Sequence, residues 1–179
     1  LGERALIIAD KFVMDLAGSI VKDSMTQYEV NGHFEQFHGE CTDKEIDRLV
    51  EIAKQQAALV IIGVGGGKTL DTAKAVADTL EGGESITIPT LAATCAAWSP
   101  LSVFYTDEGA QISSQALRTL PRLVLVDSEV IARSDVRYLK AGIVDALAKW
   151  YEFRPYLQKN PDNLGLQLKV QNARLAVEI

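Results

Sequence analysis

Continuous apolar runs alternate along this chain with stretches whose apolar positions return every three or four residues. The runs "RALIIAD" (Arg4–Asp10), "ALVIIGVG" (Ala58–Gly65), "SITIPT" (Ser85–Thr90) and "RLVLVD" (Arg122–Asp127) have the length and β-branched content of buried strands. "HFEQF" (His33–Phe37) alternates as a short strand does, and "LSVFYTDEG" (Leu101–Gly109) reads as a strand running into a turn. Between them lie helical stretches. Phe12–Lys22 is one. In "TDKEIDRLVEIAKQQ", Thr42 stands as N-cap with Glu45 three residues on, a capping box, and Ile46, Leu49, Val50 and Ala53 keep the helical period. "KTLDTAKAVADTL" is a helix closed by Gly82-Gly83. Beyond Asp127 the chain is mostly helical, with loop character around Asn160-Pro161 and a last helix over Leu164–Ile179.

Strands alternating with helices predict an α/β fold, a parallel sheet with helices on both faces. Such sheets bind ligands beyond the carboxyl ends of their strands. Asp10, the glycine run at Gly65–Gly67 and Thr90 all fall at such ends. The boundary is placed at 127: residues 1–127 form the α/β domain, and 128–179 begin a helical second domain that is mostly absent. The chain opens on Leu1 and enters a strand almost at once, so we expect a piece of a longer protein.

Composition narrows the function classes. Apolar residues make up 47% of the 179, and charged residues 23%, as in a globular domain. The net charge of −6 and the lack of a basic stripe argue against nucleic acid. No apolar run approaches the ~18 residues that would cross a membrane. Cys41 and Cys95 are far apart and form no metal spacing, which suits a reducing, cytoplasmic setting.

The segment "LVIIGVGGGKTLDTAKAVADTL" (Leu59–Leu80) carries the chemistry. It is one residue short of a Walker A loop, since Gly63 precedes Gly67-Lys68 by three residues rather than four. Lys68 also stands where the usual dinucleotide fingerprint has its third glycine, and the next strand ends on Pro89-Thr90 with no acid. The physics of phosphate binding survives both mismatches. Three residues without Cβ atoms let backbone approach a phosphate, and the following helix offers unpaired N–H groups and a positive dipole end. A tight strand-to-helix turn without ligand is the alternative.

"GVGGGKTLDTAKAVAD", "IPTLAATCAAWSPLSVFYTDEG" and "AGIVDALAKWYE" together resemble the glycerol dehydrogenase branch of the metal-dependent, iron-type alcohol dehydrogenases, over nearly the whole chain and in the right order. The "AATCAAWSPLSV" stretch is most similar to hydroxycarboxylate dehydrogenase-like members. The resemblance implies a Rossmann-like domain binding NAD. It puts Gly65, Gly66, Gly67 and Lys68 at the pyrophosphate, with Asp71 nearby, and Thr90, Thr94, Ser99, Leu101, Val103 and Tyr105 near the nicotinamide half. Asp71 reads equally as a helix-start charge. Asp10 matches the acid of NAD-using members, able to accept ribose hydroxyls and repel a 2′-phosphate; an ordinary N-cap is the other reading. Cys95 matches an aspartate that contacts substrate hydroxyls in glycerol-using members, or simply packs as a small apolar residue. Trp98, more often core or pocket wall, is a second residue for the substrate site.

The resemblance also implies a divalent metal, zinc or iron, in the full-length protein. Asp145 matches the family's aspartate ligand. Its neighbours Ile143, Val144, Ala146, Leu147, Ala148 and Trp150 predict a buried helix, where a carboxylate needs a metal or a partner such as Lys149. His33 and His38 match no family ligand and read as surface or strand histidines on opposite faces. No protein base is identifiable. The expected function is an NAD-dependent, metal-assisted oxidoreductase acting on the CH–OH group of a small polyol or 2-hydroxy acid, possible as a homo-oligomer, with this chain by itself incomplete. A dehydroquinate synthase-like lyase and a non-catalytic dinucleotide-binding fragment are the alternatives.

Overall fold

The computed structural model describes residues 4–178. They divide into two units. The first runs up to Leu91 and resumes over Cys95–Arg133; the second joins Ala92–Thr94 to the residues from Ser134 onward.

In the first unit, strands β1 (Arg4–Ala9), β2 (Asn31–Gln36), β3 (Val60–Gly65), β4 (Glu84–Pro89) and β7 (Leu123–Val124) form one parallel sheet in the order β2-β1-β3-β4-β7. Alternation along the strands sorts the core into two layers. Leu6, Ile8 and Ile61 face helices α2 (Asp43–Gln55) and α3 (Gly67–Thr79), packing with Leu49, Ala53, Ala73 and Val76. Ala5, Ile7, Val60 and Ile86 face the other way, with Met25 of α1 (Lys11–Gln27) against them. The expected layering with helices on both faces is therefore present.

Local signals explain most boundaries. Asp10 caps α1, its Oδ1 accepting the Val13 N–H at 2.8 Å. Thr42 caps α2 by accepting the Glu45 N–H at 3.1 Å. The predicted capping box is only half made, because the Glu45 carboxylate turns instead to the His38 N–H and the Arg48 guanidinium. Gly82, at φ +73°, turns the chain after α3.

Leu101–Gly109 is a strand running into a turn, as expected, and it lies outside the parallel sheet: β5 (Leu101–Tyr105) pairs antiparallel with β6 (Gln111–Ala116) in a separate hairpin. The strand β6, "QISSQA", is exposed throughout, so no apolar rhythm announced it. The strand expected over Arg122–Asp127 pairs only at Leu123 and Val124, because it is the sheet edge and Leu123, Leu125 and Val126 remain about half exposed. The break between units falls after helix α4 (Ser128–Arg133), six residues later than the sequence boundary.

The hairpin is held to α3 by a buried ion pair. Lys74 Nζ lies 2.9 Å from Asp71 Oδ1, one helical turn apart, and both side chains are buried. The ammonium also donates to the carbonyls of Ser99 and Leu101. Two carbonyl acceptors and one carboxylate oxygen at ion-pair distance surround the ammonium, which is what allows a lysine to be this deep. The other Asp71 oxygen accepts the Val103 N–H at 3.1 Å, and Ser102 Oγ donates to the Asp71 backbone carbonyl. Burial pushes the Asp71 carboxyl above its ordinary range, while Lys74 and the Val103 N–H pull it back.

In the second unit, α5 (Val136–Lys159) and α6 (Leu164–Glu178) pack on each other. Segment Ala92–Thr94 belongs with them because the Gly142 backbone lies tightly against the Ala92 carbonyl. The helix around Asp145 is not buried as expected: no described residue of α5 is, and Ile143 and Val144 are more than half exposed, since only α6 and a short segment cover it here. No described helix is long and apolar enough to cross a membrane.

Two outcomes test this description. Lys74→Met leaves a buried carboxylate without its cation and should cost about 3–5 kcal/mol in urea unfolding; adding Asp71→Asn should recover part of it, and a loss below about 1 kcal/mol would rule the pairing out as a main support. Cys41 is fully buried, and burial pushes its thiol up to about 11, whereas Cys95 is exposed. A thiol reagent at pH 8 should therefore titrate Cys95 quickly and Cys41 only on unfolding. The unfolded thiol ionises near 9.0 and the folded one near 11, so Cys41 makes stability fall as pH rises across that window.

Candidate functional site

The carboxyl ends of β1, β3 and β4 meet side by side. Ala9 is level with Val64, and Gly65 with Pro89, so Asp10, the glycine run and Thr90 leave the sheet on one edge. The Thr90 N–H donates to the Gly65 carbonyl at 3.1 Å, fixing the start of the next loop against the glycines.

The glycine loop is built to keep its backbone bare. Gly65 has φ +155°, and a Cβ there would sit 2.9 Å from Thr69 Oγ1. Gly66 is the N-cap of α3 and brings no side chain to cap it. The first N–H groups of α3 consequently point outward without a capping side chain, which is an anion site in waiting. Leu91 walls one side: a Cβ on Gly66 would stand 3.5 Å from it. Lys68 follows in the first turn, and its ammonium lies 4.6 Å from the centre of the Tyr105 ring and 2.6 Å from Glu40 Oε1. Uncapped helix N–H groups and an ammonium at one helix start are groups that an anion can engage.

The remaining predicted residues divide. Ser99, Leu101 and Val103 are placed by the Asp71–Lys74 pair, through their carbonyls or N–H groups, and Tyr105 by its N–H to the Cys41 carbonyl at 2.9 Å. Asp71 itself faces inward with both oxygens engaged by the protein. In this position it ties α3 to β5. Cys95 and Trp98 share one turn, the Trp98 N–H donating to the Cys95 carbonyl, and both side chains are exposed. Trp98 is thus not core. Buried Thr87 anchors that turn by donating to the Ala97 carbonyl at 2.7 Å. Thr94 and Asp145 lie in the second unit.

Asp145 sits 3.6 Å from Lys149, and its side chain is 41% exposed. Among the described residues no group of three His, Cys, Asp or Glu could hold a metal. Metal sites use three or more protein donors, so the residues present do not by themselves fit one. His33 and His38 lie beside Glu35 and Glu45, at 3.4 and 3.2 Å. His38 stands past the end of β2, so the two histidines do not share a strand and the expectation of opposite strand faces falls.

Sequence reasoning missed Glu40, Lys74 and Leu91. Lys74 had a signal, an opposite charge three residues after Asp71 on the same helix. Glu40 had none, being 28 residues from Lys68.

Comparison with known proteins agrees with this geometry. Residues 1–128 match the model of the family described as iron-containing alcohol dehydrogenase. A glycerol dehydrogenase from Pseudomonas putida is 46% identical over 154 residues, covering 86% of this chain and 42% of that protein. Hydroxycarboxylate dehydrogenase A from Escherichia coli (strain K12) is 43% identical over 140 residues, covering 77% and 38%. The crystal structure of a probable glycerol dehydrogenase from Sinorhizobium meliloti 1021 superposes with a TM-score of 0.77 at 38% identity, covering 86% of this chain and 41% of that one. The chain spans less than half the length of these relatives. A parallel α/β domain with this glycine edge, matched over most of its length, belongs to the iron-containing alcohol dehydrogenase family.

Proposed function

We propose that this chain forms the nicotinamide-dinucleotide-binding portion of an oxidoreductase acting on the CH–OH group of a small polyol or 2-hydroxy acid. The observation that carries the reading is the single sheet edge on which Asp10, the bare N-terminus of α3 with Lys68, and Thr90 stand together. Helix N–H groups and the Lys68 ammonium receive the pyrophosphate. Asp10 uses Oδ1 for the helix cap and keeps Oδ2 for ribose hydroxyls. The strand from Ser99 to Tyr105, held by Lys74 and Asp71, borders the nicotinamide half. A bound nicotinamide supplies one-hydride, two-electron redox chemistry toward the carbinol carbon. NADH titration of the full-length protein, followed by fluorescence, tests the reading directly; no saturable binding would end it.

Cofactor choice follows from Asp10. Its charge opposes a 2′-phosphate in a partly dry site. Asp10→Ser retains a capping oxygen and removes the charge. NADPH affinity should then rise by about tenfold relative to NADH, with α1 intact by circular dichroism. A wild-type protein that prefers NADPH contradicts the assignment.

Substrate choice follows from Cys95. A thiol cannot accept polyol hydroxyls as a carboxylate does, and it does not repel a substrate carboxylate. A 2-oxo acid is therefore the better substrate. Comparing kcat/KM for 2-oxobutyrate reduction and glycerol oxidation checks this, and Cys95→Asp should shift the ratio toward glycerol. Good glycerol turnover in wild type with no oxo-acid reduction would sink it.

A further inference from the structure

Lys68, which opens α3 directly behind the glycines, already has a counter-ion. Its ammonium is 2.6 Å from Glu40 Oε1 while resting over the Tyr105 ring. Glu40 is not a loose surface side chain. The next residue, Cys41, accepts the Tyr105 N–H, which pins this segment to the end of β5. On the other side the β5–β6 turn closes in: a Cβ on Gly109 would stand 3.2 Å from Glu40 Oε1 and 3.8 Å from Lys68 Nζ. The second carboxylate oxygen, Oε2, is buried and takes no hydrogen bond. The carboxylate therefore depends on Lys68 for its compensation, and the pair is three-sided, bounded by β5, the hairpin turn and the glycine loop.

A dinucleotide pyrophosphate brings two negative charges to the same helix end. To gain the Lys68 ammonium it has to draw it from Glu40. We infer that Glu40 is a competing counter-ion for Lys68: it holds the ammonium in the ligand-free protein, yields it to the pyrophosphate and takes it back on release. In this role Glu40 is a positioning residue that weakens cofactor affinity and speeds cofactor departure. The inference rests on the dinucleotide reading above and adds to it the group that sets how tightly the cofactor is held.

The test is NADH binding, measured by equilibrium fluorescence titration and by stopped-flow dissociation, on the full-length protein and its Glu40→Gln, Lys68→Met and doubly substituted forms. Glu40→Gln should tighten NADH binding by about five- to tenfold, mostly through slower dissociation. Damage to the fold would weaken binding instead, so the direction separates a competing charge from a structural role. Lys68→Met should weaken binding, and in that background Glu40→Gln should change it by less than about twofold. Unchanged or weaker binding in Glu40→Gln overturns the inference while leaving the dinucleotide reading in place. An equal gain with and without Lys68 overturns it too, since the carboxylate would then act on the phosphates directly. A wild-type protein that does not bind NADH removes the dinucleotide reading and the inference with it.

Discussion

The Lys74–Asp71 pair is the interaction on which the candidate site depends. A parallel sheet by itself supplies an edge of strand ends and helix starts. It does not supply the second wall that a long ligand needs. That wall is the segment from Ser99 through β5 to Tyr105, whose strand pairs within its own hairpin and has no place in the main sheet. Lys74 binds its first carbonyls and Asp71 its Val103 N–H, so two consecutive turns of α3 hold the strand through main-chain groups. Ser102 and Phe104 of the same strand add buried side chains to these main-chain contacts, the Ser102 hydroxyl donating to the Asp71 carbonyl. Burying an ion pair is costly, and an apolar pair of similar volume would often be as stable. What the ions add is direction: an ammonium with three acceptors fixes the strand in one register.

The same helix serves both sides. Its first turn presents bare N–H groups and Lys68 to the glycine edge; its next turns fasten the opposite wall. Lys68 and Lys74 are six residues apart and have opposite fates. Lys74 is enclosed, and its charge is spent on structure. Lys68 is partly exposed, shared between Glu40 and the Tyr105 ring, and its charge remains negotiable. Burial is the physical difference between a structural cation and a functional one in this fold.

Cys95 and Trp98 sit on a turn of the first unit anchored by Thr87, with their side chains exposed. In the second unit Asp145 stands on a helix with no described buried residue. The relatives are more than twice the length of the segment they share with this chain. Cofactor binding is thus the part of the chemistry that these residues can be argued to perform.

The sequence alone determined what local physics controls. Apolar runs placed β1, β3 and β4, because a strand buried on both faces has to be continuously apolar, and alternation placed the edge strand β2. Thr42 and the Gly82-Gly83 pair marked helix ends through their own hydrogen bonding and backbone freedom, and three adjacent glycines marked a strand-to-helix turn that brings no capping side chain. Asp10 was legible as a helix cap, and its Oδ1 accepts the Val13 N–H. Tertiary structure alone decided the rest. It turned Asp71 inward, because its neighbour Lys74 and the Val103 N–H arrive from the core side. It joined Glu40 to Lys68 across 28 residues, a separation at which no periodicity operates. It set the polar β6 beside β5, where main-chain pairing rather than side-chain burial makes the strand. Contacts between residues distant in sequence depend on where the sheet order brings them, and that order is written in no single segment.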